Sequence, residues 1–148
     1  MYTVTKTNQS PMIHDATTDV AFDEFSRACD IVEEYFGTTI DDVALHAPVS
    51  RRQLVAILAR AQLVGRELAG TEPLTVERAV HQSNDEGVYW LDDGFWDDIR
   101  GRHNLTPDES RAAREVHRRI VEAIAGDVPY YNRERDPYVL IERQLSRA

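Results

Sequence analysis

Residues 50–70 read SRRQLVAILARAQLVGRELAG, and their pattern decides the fold class. Ser50 stands where a helix N-cap stands. Gln53 follows three residues later, the spacing of a capping box, in which two side chains and two backbone N–H groups satisfy one another. Gly70 marks the far end, where glycine takes a left-handed conformation without strain. Between them Leu54, Ile57, Leu58, Ala61, Val64, Gly65 and Leu68 recur at three- and four-residue steps. Val55 and Ala56 widen that stripe until little of the middle is polar. A helix that is apolar most of the way round needs cover on more than one side. The segment is therefore expected to be the central helix, near 50–69, of a mostly α, single-domain helical bundle covering residues 1–148.

Working outward, the chain length of 148 residues and hydrophobic share of 42% suit one domain with a real core. The formal net charge of −9 repels phosphate, which disfavours nucleic acid and anionic membrane as partners. No apolar run reaches the ~20 residues of a membrane span, and MYTVTKTNQS lacks the apolar core of a signal peptide. A cytoplasmic protein is expected. Cys29 is alone, so no internal disulfide forms, and its place on an apolar helix face reads as core.

Of 17 Lys plus Arg, only Lys6 is lysine, against 26 Asp plus Glu. Aspartates come in pairs at Asp41-Asp42, Asp92-Asp93 and Asp97-Asp98. This composition resembles that of proteins from extremely halophilic archaea, in which surface carboxylates keep the chain solvated in concentrated salt. Self-repulsion is screened there, because the Debye length falls to ~3 Å at 1 M. A GC-rich genome also favours Arg over Lys, but the excess of Asp over Glu points to the halophile.

Around the central helix, a first helix is expected over Asp19–Phe36, with Phe22, Phe25, Cys29, Val32 and Phe36 on one face and Gly37 as its stop. A short helix follows over Thr38–His46, and another of about eight residues over Val76–Ser83. Val88–Leu91 has strand propensity. It could form a two-stranded ribbon with the alternating Tyr2, Val4 and Lys6, at the start of a loose N-terminal arm, 1–16. A short helix is read over Asp92–Arg102. Thr106-Pro107-Asp108-Glu109 is a strong helix start for a helix ending before Gly126. Tyr138–Leu145 is expected as a terminal helix.

Chemical motifs are few. His14, His46, His81, His103 and His117 show no metal-binding spacing. The paired aspartates lack the ligand alternation of a calcium loop. No glycine-rich phosphate loop and no GxSxG occur, so no metal and no cofactor is expected.

Three constellations remain. Arg111-Ala-Ala-Arg-Glu-Val-His117 resembles the Arg-x(4–6)-His signature of HEPN-type ribonucleases. The resemblance implies His117 as a proton-transfer group and Arg111 or Arg114 as a phosphate clamp. Ala112 departs from the polar residue often found there. Helix 50–69 followed by a turn and helix 75–83 has the rhythm of a helix-turn-helix. The run from IVEEYFGTTIDDV through RRQLVAILAR also resembles part of the DNA-binding domain of the bacterial replication initiator DnaA. Arg51, Arg52, Arg78 and His81 would then approach DNA, although that family's base-reading stretch has no match. The aromatic set Tyr89, Trp90, Phe95 and Trp96, with Tyr130, Tyr131 and Tyr138, reads either as core or as an interface anchor.

The leading expectation is a non-catalytic protein–protein interaction or assembly module of a halophilic archaeon or its virus, acting on a protein partner or on another copy of itself. A helix-turn-helix regulator and a HEPN-like ribonuclease are the alternatives. The composition carries its own test: the thermal midpoint should rise steadily as KCl is raised from about 0.1 M to about 2 M, and a flat or falling midpoint would contradict the halophilic reading.

Overall fold

The computed structural model describes residues 10–126 and 135–142, with side chains from residue 21 onward. Four helices pack with one small antiparallel sheet in a single, mostly helical domain. The order is α1 (Ser10–Leu45), α2 (Arg51–Leu68), β1 (Ala79–Gln82), β2 (Glu86–Leu91), α3 (Phe95–His103), α4 (Pro107–Ala125) and β3 (Asp136–Ile141). A 3-10 turn over Val76–Arg78 leads into β1.

Both expected capping boxes form. Ser50 Oγ accepts from the Gln53 N–H while Gln53 Oε1 accepts from the Ser50 N–H. Thr106 and Glu109 do the same at α4, with Pro107 in the first turn. Gly126 ends α4 at φ 87°. Helix α2 is buried on most sides, at Leu54, Val55, Ile57, Leu58, Ala59, Ala61, Gln62, Val64 and Gly65, and it is the central helix.

Helix α1 corrects the expected break at Gly37 and absorbs the short helix expected after it. It runs 36 residues, about 54 Å at 1.5 Å per residue. Phe36, Ile40 and Val43 are all buried on one stripe. Burying such side chains gains roughly 1.5–3 kcal/mol each, which outweighs the ~1 kcal/mol cost of a glycine between them. Its helical backbone also takes in residues 10–16 of the expected arm, with Pro11 tolerated in the first turn. Tyr2, Val4 and Lys6 lie outside the described residues. Phe22, expected inward, is 67% exposed, because the stripe extends past its cover.

The sheet has three strands, in the order β1-β2-β3, rather than two. Residues 76–82 turn and extend instead of forming a helix. An isolated helix of eight residues is marginal, whereas pairing His81 with Val88 and Gln82 with Gly87 gives the backbone groups partners. Residues 136–141 form a strand where a terminal helix was expected. All six are buried, and a short continuous apolar run suits a strand covered on both faces.

One close approach fixes the register of helix and sheet. The Tyr138 hydroxyl donates to the Ala61 carbonyl at 2.6 Å. A Cβ added at Gly65, one turn on, would lie 2.0 Å from that hydroxyl oxygen. Gly65 is thus tolerated in mid-helix because Tyr138 needs the space. Gly65→Ala should lower stability by roughly 1–3 kcal/mol through overpacking, visible as a lower urea midpoint with an unchanged slope.

Candidate functional site

The two outer edges of the sheet have opposite treatments, and every candidate residue falls near one of them or away from both. On β3, alternate residues bond to β2 and the others point outward. Pro137, Val139 and Ile141 point outward. Trp96 Nε1 donates to the Pro137 carbonyl at 2.8 Å. The Val139 N–H donates to His117 Nδ1 at 2.9 Å, and Gln62 Nε2 donates to the Val139 carbonyl at 2.7 Å. The Ile141 N–H donates to Gln62 Oε1 at 2.9 Å. Pro137 has no N–H to leave unpaired. Side chains from α2, α3 and α4 thus do the work of a fourth strand.

His117 is therefore a structural acceptor. It is wholly buried. It lies parallel to Tyr138 with ring centres 5.0 Å apart, and near Trp96 at 4.9 Å and Phe36 at 5.1 Å. Because Nδ1 accepts, the neutral ring carries its proton on Nε2, which has no hydrogen-bond partner. Burial pushes its pKa down from 6.5 to about 3. A ring so enclosed has no path to a phosphodiester, which corrects its expected role in proton transfer.

The arginines of that motif lie outside. Arg114 Nε donates to Asp136 Oδ1 at 3.0 Å and its Nη2 to the Arg135 carbonyl at 3.0 Å. Asp136 in turn accepts from the Trp96 N–H at 2.9 Å, capping α3 where Gly94 offers no side chain. Arg111 pairs with Asp108. Both arginines border a cleft of about 410 Å³, with His46, Arg119 and Glu115 among its other walls. Glu115 is held below the usual carboxylate range, mainly by its hydrogen bond from Arg118 and further by Arg119. These cations already serve carboxylates of the chain.

The residues proposed to face DNA do not form a reading helix. Arg51 bridges Glu33 and Asp41 at 2.8 and 2.6 Å, as the abundance of carboxylates leads one to expect. Arg52 is exposed beside it. Arg78 lies in the 3-10 turn, 3.3 Å from Asp92. His81 lies in β1, 3.6 Å from Glu86. The second helix of a helix-turn-helix is absent from residues 76–82.

The aromatic set divides. Tyr89 and Trp96 are each 2% exposed and Tyr138 is fully buried, so they are core, correcting the interface assignment of Tyr89 and Trp96. Trp90 and Phe95 are half-buried. Tyr130 and Tyr131 lie outside the described residues.

Among the described residues, no strand pairs with the opposite edge. β1 is the outermost strand, and its last three residues are exposed. The register slips between Ala79 and His81, a bulge that bends the start of the strand. The Ser83 N–H bonds to the Glu86 carbonyl at 3.0 Å, so alternation turns the backbone of Gln82 outward. Nearby Val76 and Val80 are 69% and 49% exposed.

Residues 30–142 match a family described as "Domain of unknown function (DUF8048)". The chain belongs to that family. The match begins inside α1 and takes in all three strands, so both sheet edges are part of the DUF8048 domain. No curated protein matches the chain, and no solved structure matches it. Among the described residues, no group of three or more His, Cys, Asp or Glu is placed to hold a metal, and no helix is long and apolar enough to cross a membrane.

Sequence reasoning missed Gln62 and Asp136. Gln62 had a signal: it is the one uncharged polar residue in the middle of an otherwise apolar helix. The site yields a pH prediction. An unfolded histidine titrates near 6.5 and the folded His117 near 3, so between those values only the unfolded chain binds the proton. Stability should fall as pH drops from about 6.5 toward 5, by roughly 1.4 kcal/mol per pH unit. Urea unfolding across that range should show this slope, and it should flatten in His117→Phe.

Proposed function

We propose that this DUF8048 domain is a non-catalytic protein–protein interaction or assembly module, cytoplasmic, from a halophilic archaeon or one of its viruses. It engages its partner by adding a strand to the outer edge of β1. One observation carries the reading: the β3 edge is closed by Trp96, His117 and Gln62, while β1 stands exposed at the sheet's other margin. Exposed edge strands template pairing with another chain and are ordinarily blunted by charge or cover. Residues 79–84, Ala-Val-His-Gln-Ser-Asn, carry no Lys, Arg, Asp or Glu themselves, and the charges beside them are Glu86, next to His81, and Glu142, next to Gln82. Strand addition draws affinity from main-chain hydrogen bonds and specificity from flanking side chains.

The experiment is capture of partners from the native host, at the host's own salt concentration, by the intact chain and by Gln82→Pro. Proline at an outward-facing edge position removes only the outward donor and leaves the pairing to β2. A partner held by the native chain should be reduced about tenfold or more by Gln82→Pro. Undiminished capture by a folded Gln82→Pro variant would refute docking at this edge.

A further inference from the structure

We propose that a cleft between α3 and α4 binds a small zwitterion, a free α-amino acid, with the ligand's carboxylate on Arg100 and Ser110 and its ammonium on Asp93 and Asp97. No residue of β1 lines this cleft, and the inference stands apart from docking at the sheet edge.

Acid–arginine pairs of one spacing behave differently on the two helices. Asp108 and Arg111, three apart on α4, bridge each other, and so do Glu115 and Arg118. Asp97 and Arg100 have the same spacing and order on α3, and residues three apart share a helix face. Among the described residues, however, neither makes an ion pair. Both line the cleft, whose volume is about 360 Å³.

Pairs already made account for the other arginines there. Arg111 is held by Asp108, and Arg114 by Asp136. What remains is one guanidinium, Arg100, and two carboxylates, Asp93 and Asp97. Ser110 adds a hydroxyl. The residue is 8% exposed and lines the cleft, and its Oγ makes no hydrogen bond to the described residues. A buried hydroxyl left unpaired is costly, and a carboxylate oxygen of a ligand relieves that cost.

These free groups choose the ligand. A phosphate or other polyanion would face Asp93 and Asp97. A simple cation would face Arg100 and leave Ser110 unpaired. A ligand with both signs on neighbouring atoms opposes neither set. Side chains one helical turn apart have Cβ atoms about 5–6 Å from each other, a separation that suits the ammonium and carboxylate carried by a single α-carbon. The volume lies near the lower end of the ~300–1,000 Å³ of small-molecule sites, which fits an amino acid and is small for a nucleotide.

The test is titration of the protein amino acids into the isotope-labelled full chain, read by amide NMR shifts. In about 2 M KCl at least one should bind with a Kd of about 1 mM or below, and its shifts should centre on residues 94–100 and 107–114. Acetate and ethylammonium, which carry the two ends separately, and inorganic phosphate should each bind about tenfold more weakly or worse. Arg100→Met and Ser110→Ala should each raise the Kd about tenfold. Asp97→Asn should do the same for the amino acid while leaving the weak binding of acetate unchanged. Arg100 and Asp97 are exposed, so these two variants test the site even if Ser110→Ala disturbs packing.

The inference is overturned if no amino acid gives saturable shifts up to about 10 mM. It is equally overturned if acetate or phosphate binds as tightly as the best amino acid, or if folded Arg100→Met and Asp97→Asn bind it undiminished. None of these outcomes bears on capture of a partner through Gln82, so the two readings stand or fall separately.

Discussion

A buried strand with a neighbour on only one side has backbone groups that must find partners, and among the described residues β3 has no strand neighbour beyond β2. Leaving one buried donor or acceptor unpaired costs roughly 1–3 kcal/mol. Several orphans together would rival the ~5–15 kcal/mol by which a domain of this kind is stable. The solution draws on three helices: Gln62 from α2, Trp96 from α3 and His117 from α4. The positions of these helices follow from the need to deliver those atoms. So do the close approach of Tyr138 to Gly65 and the cap that Asp136 lends to α3. His117 is the costliest part of the arrangement, since its Nε2 proton has no acceptor.

Helix boundaries set by local chemistry were legible in the sequence. Ser50–Gln53 and Thr106–Glu109 box as their spacing says, because a capping box needs only four consecutive residues. Elements defined by distant partners were not legible. Residues 79–82 and 136–141 are strands because of β2, and neither run alternates in a way that declares it. The run Tyr138–Ile141 is uniformly apolar, which a helix or a doubly covered strand explains equally well. Gly37 misled for the complementary reason: its local preference is real, but Phe36 and Ile40 on either side of it are anchored in the core. At the candidate site, His117 and Arg114 share a helix and a motif spacing. Only the fold shows one turned to the core and the other to Asp136.

The arginines follow the logic of an acidic surface. Arg51, Arg118 and Arg119 each contact two carboxylates, and Arg60 lies over the Phe25 ring at 5.6 Å. Such exposed pairs add little stability individually. Their effect is on the field: they space out the negative charge.

The place of β3 in the chain bears on biosynthesis. It follows α4 in sequence, yet it lies against α2, α3 and β2, which are made earlier. During translation Gln62, Trp96 and His117 emerge before the strand they serve, so for that interval their polar atoms have only water or wrong partners. The core closes in one late event. A nascent chain stalled before residue 136 exposes a vacant, apolar, strand-shaped slot, with β2 open on the side β3 would fill. Such an intermediate is a natural target for holding chaperones.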